Sequence, residues 1–232
     1  MRMSDESGYT LVELLVGMFV TMVVLGAIMM IVQVATRHQD RVAEQVAANQ
    51  RARPAMTWIV NQLHAACLSP GLAPVLEGSD DNELILLSKA GDDVSPIPDK
   101  HIFTYAGGML SESVYEGTDG EAPDWEFAAT PTTRSLIDDV GEAALGEGSE
   151  IVPVFRYYAY DGGEVEETPL VTSPNGLSAA DAARTVQVDV AFTVTPSSAA
   201  PDQNASIALT DSATLRIEPA SEDSAQVNLP CV

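Results

Sequence analysis

A single carboxylate interrupts the apolar start of this chain. Glu13 lies two residues after Leu11 and next to Leu14, and no charged residue occurs from Leu14 to Ala35. An ionised carboxylate among apolar side chains is costly without a partner, so a cation brought to it would be held strongly. The chemistry on offer is ion pairing, not catalysis. The plain alternative is a lone glutamate tolerated near a membrane interface. Immediately upstream the order is Gly8-Tyr9-Thr10-Leu11-Val12-Glu13-Leu14-Leu15, with a glycine and an aromatic residue side by side.

The second reactive pair is Cys67 and Cys231, the two cysteines of the sequence. Neither belongs to a CxxC pair and no histidine stands near either at zinc-finger spacing, so no metal site is indicated. In a reducing compartment they would be buried free thiols. If the segment that follows the apolar run is exported, one disulfide is the better reading. Such a bond would close a loop over most of the chain beyond Cys67 and tie the tail to it.

No pattern for an active site or a cofactor stands out. His38, His64 and His101 are scattered, and no Gly-x-Ser-x-Gly, HExxH or phosphate-loop sequence is present. The acidic clusters Asp80-Asp81-Asn82-Glu83, Asp92-Asp93 and Asp119-Gly120-Glu121 do not follow an EF-hand loop and read as solvated surface. With 34 acidic against 11 basic residues the formal charge is −23, which repels nucleic acid.

The element that must position Glu13 is the apolar run itself. It has about the 20 residues a helix needs to cross a bilayer core. It is too long for the core of a cleaved secretory signal, and no small-x-small exit site follows it. A simple signal anchor fits its length. From Gln33 to about Leu68 the pattern stays helical: Val42, Ala43, Val46 and Ala47 lie to one side, and Met56, Ile59, Val60 and Leu63 continue a stripe. Pro54 predicts a kink or a new first turn near Arg53, and Ser69-Pro70-Gly71 a stop. A helix from Tyr9 to Leu68 would be about 90 Å long at the standard rise.

Beyond Leu72 the period changes to that of strands. Leu84–Leu87, Ile102–Tyr105, Met109–Tyr115, Trp125–Phe127 and Ser135–Ile137 are short candidates. Ile151–Tyr160 leads through Asp161-Gly162-Gly163 into Glu164-Val165, a hairpin signature. Thr185–Val194, Ser206–Leu209 and Ala213–Ile217 complete the set, with one helical turn expected over Ser178–Ala183. The expected class is α+β: a long N-terminal α-helix, its first half transmembrane, packed against a head of some eight mostly antiparallel strands.

Gly8-Tyr9-Thr10-Leu11-Val12-Glu13-Leu14-Leu15 followed by some twenty apolar residues resembles the class III signal of type IV prepilins and type II secretion pseudopilins. The resemblance implies a leader over 1–8, removed by a prepilin peptidase that cuts after Gly8 and methylates the amine of Tyr9, where the family usually has phenylalanine. It implies a filament-core helix over 9–36, an amphipathic continuation over 37–69 and an extracytoplasmic head over 70–232. Glu13 then becomes the fifth mature residue and sets axial register by pairing with a neighbouring subunit's amine. The implied partners are the peptidase, other pilin subunits, membrane lipid and an inner-membrane assembly platform. The head is most similar to those of pseudopilin J and PilW-like minor pilins. An adhesive tip subunit, with Tyr157, Tyr158 and Tyr160 as its surface, is the alternative, as is an anchored protein unrelated to pili. The family places the N-terminus in the cytoplasm. Arg2 stands on that side, while Arg37, Arg41, Arg51 and Arg53 flank the other, so a plain basic-residue count favours the reverse. A long acidic domain translocates regardless of that bias.

Overall fold

The computed structural model describes residues 10–67, 73–89, 97–121, 124–145, 150–161, 164–172, 175–196 and 206–215. The architecture is α+β and pilin-like, as the sequence predicts: one long helix, α1 (Leu11–His64), then antiparallel sheets. The chain divides into two compact units, Met1–Glu44 and Gln45–Val232, and the division falls within α1.

In the first unit α1 has nothing to bury against, and every residue from Leu11 to Ala43 is exposed. In the second unit one face of the same helix is covered. Ala48, Ala52, Ala55, Met56, Ile59 and Leu63 are buried there, at the three- and four-residue spacing of a single helical stripe. The valine stripe expected from the sequence is not that face, since Val42 and Val46 are both exposed. Alanine carries little hydrophobic weight in a pattern, yet it lets a helix backbone come close to a sheet.

Pro54 lies inside α1 without ending it. Its ring is on the exposed side, and the hydrogen bond it removes is the one to the Gln50 carbonyl of an exposed residue, so no new helix starts at Arg53. The helix stops at His64, four residues before the expected end. There the chain turns to follow a strand edge, with Ala66 bridging Ser88 and Cys67 N–H donating to the Leu87 carbonyl at 2.8 Å.

The first sheet has the order β1 (Glu83–Ser88), β2 (Asp99–Ala106), β3 (Met109–Tyr115), β6 (Thr132–Asp138). β2 and β3 form a hairpin over Gly107-Gly108, both at positive φ, as a two-residue turn of this hand requires. β4 (Gly117–Glu121) and β5 (Asp124–Phe127) make a separate hairpin.

The second sheet is organised by β11 (Thr185–Val194). Along one edge it pairs with β12 (Ile207–Thr214). Its other edge takes β9 (Phe155–Asp161) and then β7 (Val140–Leu145). Outside these, β10 (Glu164–Val165) pairs β9, as the hairpin signature predicts, and β8 (Glu150–Val152) pairs β7. Ile151–Tyr160 is therefore two strands, because Pro153 has no N–H to give a ladder. The two segments after Ser206 merge into β12, and residues beyond Leu215 lie outside those described. Leu84, Leu86, Phe103 and Leu110 of the first sheet and Phe155, Tyr157, Val188 and Phe192 of the second share one core with the α1 stripe.

The expected helical turn is α2 (Ala179–Ala183), capped by the Ser178 hydroxyl, which accepts from Asp181 N–H. Just before it, Gly176 has φ of +82° and faces Gly78, whose carbonyl a Cβ would strike. The approach lets Gly78 N–H donate to Leu177 O at 3.0 Å and Leu177 N–H to Ser79 O at 2.7 Å. The aromatic hairpin is mostly core. Tyr157 is fully buried and its hydroxyl donates to the carbonyls of Asp80 and Glu83, while Tyr158 is 7% exposed and only Tyr160, at 58%, faces out.

Candidate functional site

Helix α1 opens with a reciprocal cap. Thr10 precedes the first turn, and its hydroxyl accepts from Glu13 N–H at 3.3 Å. Glu13 reaches back, its Oε2 accepting from Thr10 N–H at 3.3 Å and from the Thr10 hydroxyl at 3.2 Å. The first helical bond, Leu14 N–H to Thr10 O, follows at 3.2 Å. This is a capping box, Thr-x-x-Glu, and it satisfies two donors that a helix start otherwise leaves open. The spacing was on view in the sequence, and reading Glu13 for its charge alone overlooked it.

Both cap bonds use Oε2, which leaves lone pairs on Oε1 for another donor. Below the carboxylate runs a shallow hollow on one side of the helix. Gly17 and Thr21 form its floor, Glu13 closes one end and Leu25 the other, with Met18 and Met22 at the rim. A Cβ on Gly17 would meet nothing, and the Thr21 hydroxyl is turned inward onto the Gly17 carbonyl at 2.7 Å. Small side chains one turn apart allow another helix to approach closely. The site thus offers an apolar groove with a single acceptor of negative charge at its N-terminal end.

Of the residues singled out in the sequence, Glu13 is placed at the first turn of α1. Gly8, Tyr9 and Cys231 lie outside the described residues. Cys67 is fully buried and is not a free thiol. The Asp80–Glu83 cluster serves a local turn, in which the Asp80 carboxylate accepts from Asn82 N–H at 2.7 Å.

One polar cluster escaped the sequence reading. Glu112 is fully buried, and donors from three elements converge on it. His101 Nδ1 of β2 lies 2.7 Å from its carboxylate, Trp58 Nε1 of α1 at 3.0 Å and Arg134 Nε of β6 at 2.6 Å. The Arg134 guanidinium also lies over the Trp58 ring, 4.4 Å from its centre. Burial pushes the Glu112 carboxyl pKa up, but the hydrogen bonds from His101, Trp58 and Arg134 and the attraction of His101 outweigh it and leave the value below the ordinary one. The signal was the strand period, which puts Glu112 on the same face as Leu110 and Val114.

Two observations bear on what the N-terminal site is. α1 is long and apolar enough to cross a membrane, and none of its most apolar stretch is buried within the chain, unlike the core helix of a soluble protein. No curated protein and no solved structure matches the chain. Residues 3–29 match the family described as the prokaryotic N-terminal methylation motif, a match confined to the N-terminal segment. That match supports a type IV pilin-like protein that carries a class III signal, is processed by a prepilin peptidase and is anchored in the membrane by its apolar helix.

Proposed function

We propose that the chain is a minor pilin or pseudopilin, a structural subunit and not an enzyme. Its N-terminal helix packs among those of other subunits in a type IV pilus or a type II secretion-like pseudopilus. The observation that carries this reading is Glu13: one carboxylate in the first turn of a helix whose apolar part is wholly exposed, half engaged by its own cap and half available. Cleavage between Gly8 and Tyr9 creates an amine, and a neighbour's Glu13 neutralises it inside the bundle. Before assembly lipid covers the helix; afterwards other helices do. The N-terminus is cytoplasmic and the head extracytoplasmic, and an inner-membrane platform feeds subunits into the filament. Twelve strands among the described residues make a large head, which suits a low-copy subunit in the manner of pseudopilin J or the PilW-like pilins.

Co-expression with a prepilin peptidase tests this directly. The mature chain is expected to begin at Tyr9 with one added methyl group, and Gly8→Val is expected to keep the eight-residue leader on nearly all molecules. A mature chain that retains Met1 in the presence of an active peptidase, or begins well beyond Tyr9, overturns the reading.

Export also favours a bond between Cys67 and Cys231, the other cysteine of the sequence. Alkylation of the denatured, unreduced protein is expected to label neither, and reduction to expose both. In the chain-entropy model a loop of this size contributes roughly 4–5 kcal/mol. Two thiols labelled without reductant would exclude the bond.

A further inference from the structure

The face that α1 turns toward the head is smooth in its first part, ahead of Met56, Ile59 and Leu63. Ala48, Ala52 and Ala55 recur along it at four and three residues, and small side chains resist sliding weakly, because neighbouring turns look alike to the sheets beneath. Two buried polar contacts break that sameness. The Trp58 indole donates to Glu112 at 3.0 Å, and one turn on, the Gln62 amide oxygen accepts from the Ser88 hydroxyl. Gln62, Ser88 and Glu112 are each fully buried.

We infer that Trp58 and Gln62 act together as a register key that holds the helix in one axial seat on the first sheet, beyond what apolar packing fixes. Sliding α1 by one turn in one direction brings Pro54 toward Glu112, and proline has no N–H to offer. The opposite slide brings Gln62 to Glu112 but takes its amide oxygen from the Ser88 hydroxyl and pulls apart the Ala66–Ser88 bridge just past the helix. Either way a buried polar group loses its partner, which apolar contacts of similar area would not penalise. The sheet side of the lock is held independently. His101 and Arg134 fix the Glu112 carboxylate from β2 and β6, so the keyhole stays formed when the key is removed. The Gln62 Nε2, buried without a partner, is a cost that the apolar alternative would not carry.

The experiment uses the full chain in detergent. Spin labels are placed at Thr57→Cys on α1 and Thr132→Cys on β6, both exposed positions. The parent is expected to give one narrow distance distribution. Trp58→Phe with Gln62→Leu keeps the face apolar and of similar volume. It is expected to retain a cooperative thermal transition within a few degrees of the parent, while the distribution splits or broadens by about 5 Å, one helical turn. A single narrow peak at the parent distance would overturn the inference and leave register to apolar packing and the backbone bridge of Ala66 to Ser88. Should the double variant show no cooperative transition, Trp58→Phe alone is read the same way: broadening supports the key, and an unchanged peak refutes it.

Discussion

Glu13→Gln is expected to leave the helix start intact and to abolish most assembly. Glutamine serves the third position of a capping box as well as glutamate does, so its carbonyl oxygen can still accept from Thr10 N–H. What the substitution removes is the charge. In an assembled bundle the neighbour's amine would then be buried without a counter-ion, and breaking a buried pair this way costs about 3–5 kcal/mol. That corresponds to a loss of roughly two to three and a half powers of ten in the assembly equilibrium, at about 1.4 kcal/mol per factor of ten. Filament yield, or cross-linking to neighbouring subunits, is the measurement, with helicity and peptidase processing as controls. Thr10→Ala complements it, weakening the cap by about 1 kcal/mol while keeping the carboxylate charged. A charge-pairing role requires Glu13→Gln to be the far more damaging change. If both variants assemble equally, Glu13 is only a cap.

The second large effect lies in the head. Glu112→Gln is expected to destabilise it by about 3 kcal/mol, toward the lower end for a broken buried pair because the half-exposed Arg134 can recover water. The pH dependence gives a sharper reading. The folded state holds the Glu112 carboxyl below its ordinary pKa, so on acidification the unfolded chain takes up this proton first. The stabilisation is therefore complete above the ordinary carboxyl range and is lost as pH falls through the lowered folded value. Acid also relieves the self-repulsion of a chain of charge −23, which works in the opposite direction. The difference between parent and variant cancels that shared effect. It is expected to be largest near neutral pH and to shrink below about pH 4, as chemical denaturation at several pH values would show. A gap that is constant with pH would mean that Glu112 acts through shape and not charge.

What was legible in the sequence divides along physical lines. The apolar run and Glu13 could be read because a bilayer imposes a long, local, one-dimensional pattern. Strong strands such as Thr185–Val194 announce themselves through valine or phenylalanine at every second position. β4 and β7 did not, since Gly117-Thr118-Asp119-Gly120-Glu121 and Val140-Gly141-Glu142-Ala143-Ala144-Leu145 have neither that period nor bulk, and only their partners make them strands. The buried face of α1 was read correctly at Met56, Ile59 and Leu63 but misplaced upstream of them for a related reason, with valines outweighing the alanines that the sheets cover. Glu112 depends on His101, Trp58 and Arg134, which come from three other elements and up to 54 positions away. No local pattern encodes a meeting of that kind. The cap at Thr10 and Glu13 is the opposite case, a four-residue signal present in full and hidden behind a more conspicuous charge.

β11 also governs when the head can be completed. Hairpins of the first sheet join residues close in sequence, such as Ala106 to Met109, and can form soon after they are made. The second sheet cannot close until Thr185–Val194 arrives, because β7 and β9 meet through it and β12 has no other paired strand among the described residues. Until then the edges of β7 and β9 stay open to wrong partners. A chain stalled before residue 185 would carry one finished sheet and two isolated strand pairs, β7 with β8 and β9 with β10, each with an open edge. For this protein the vulnerable moment of biogenesis falls late, and a holding chaperone would be needed most over the last fifty residues.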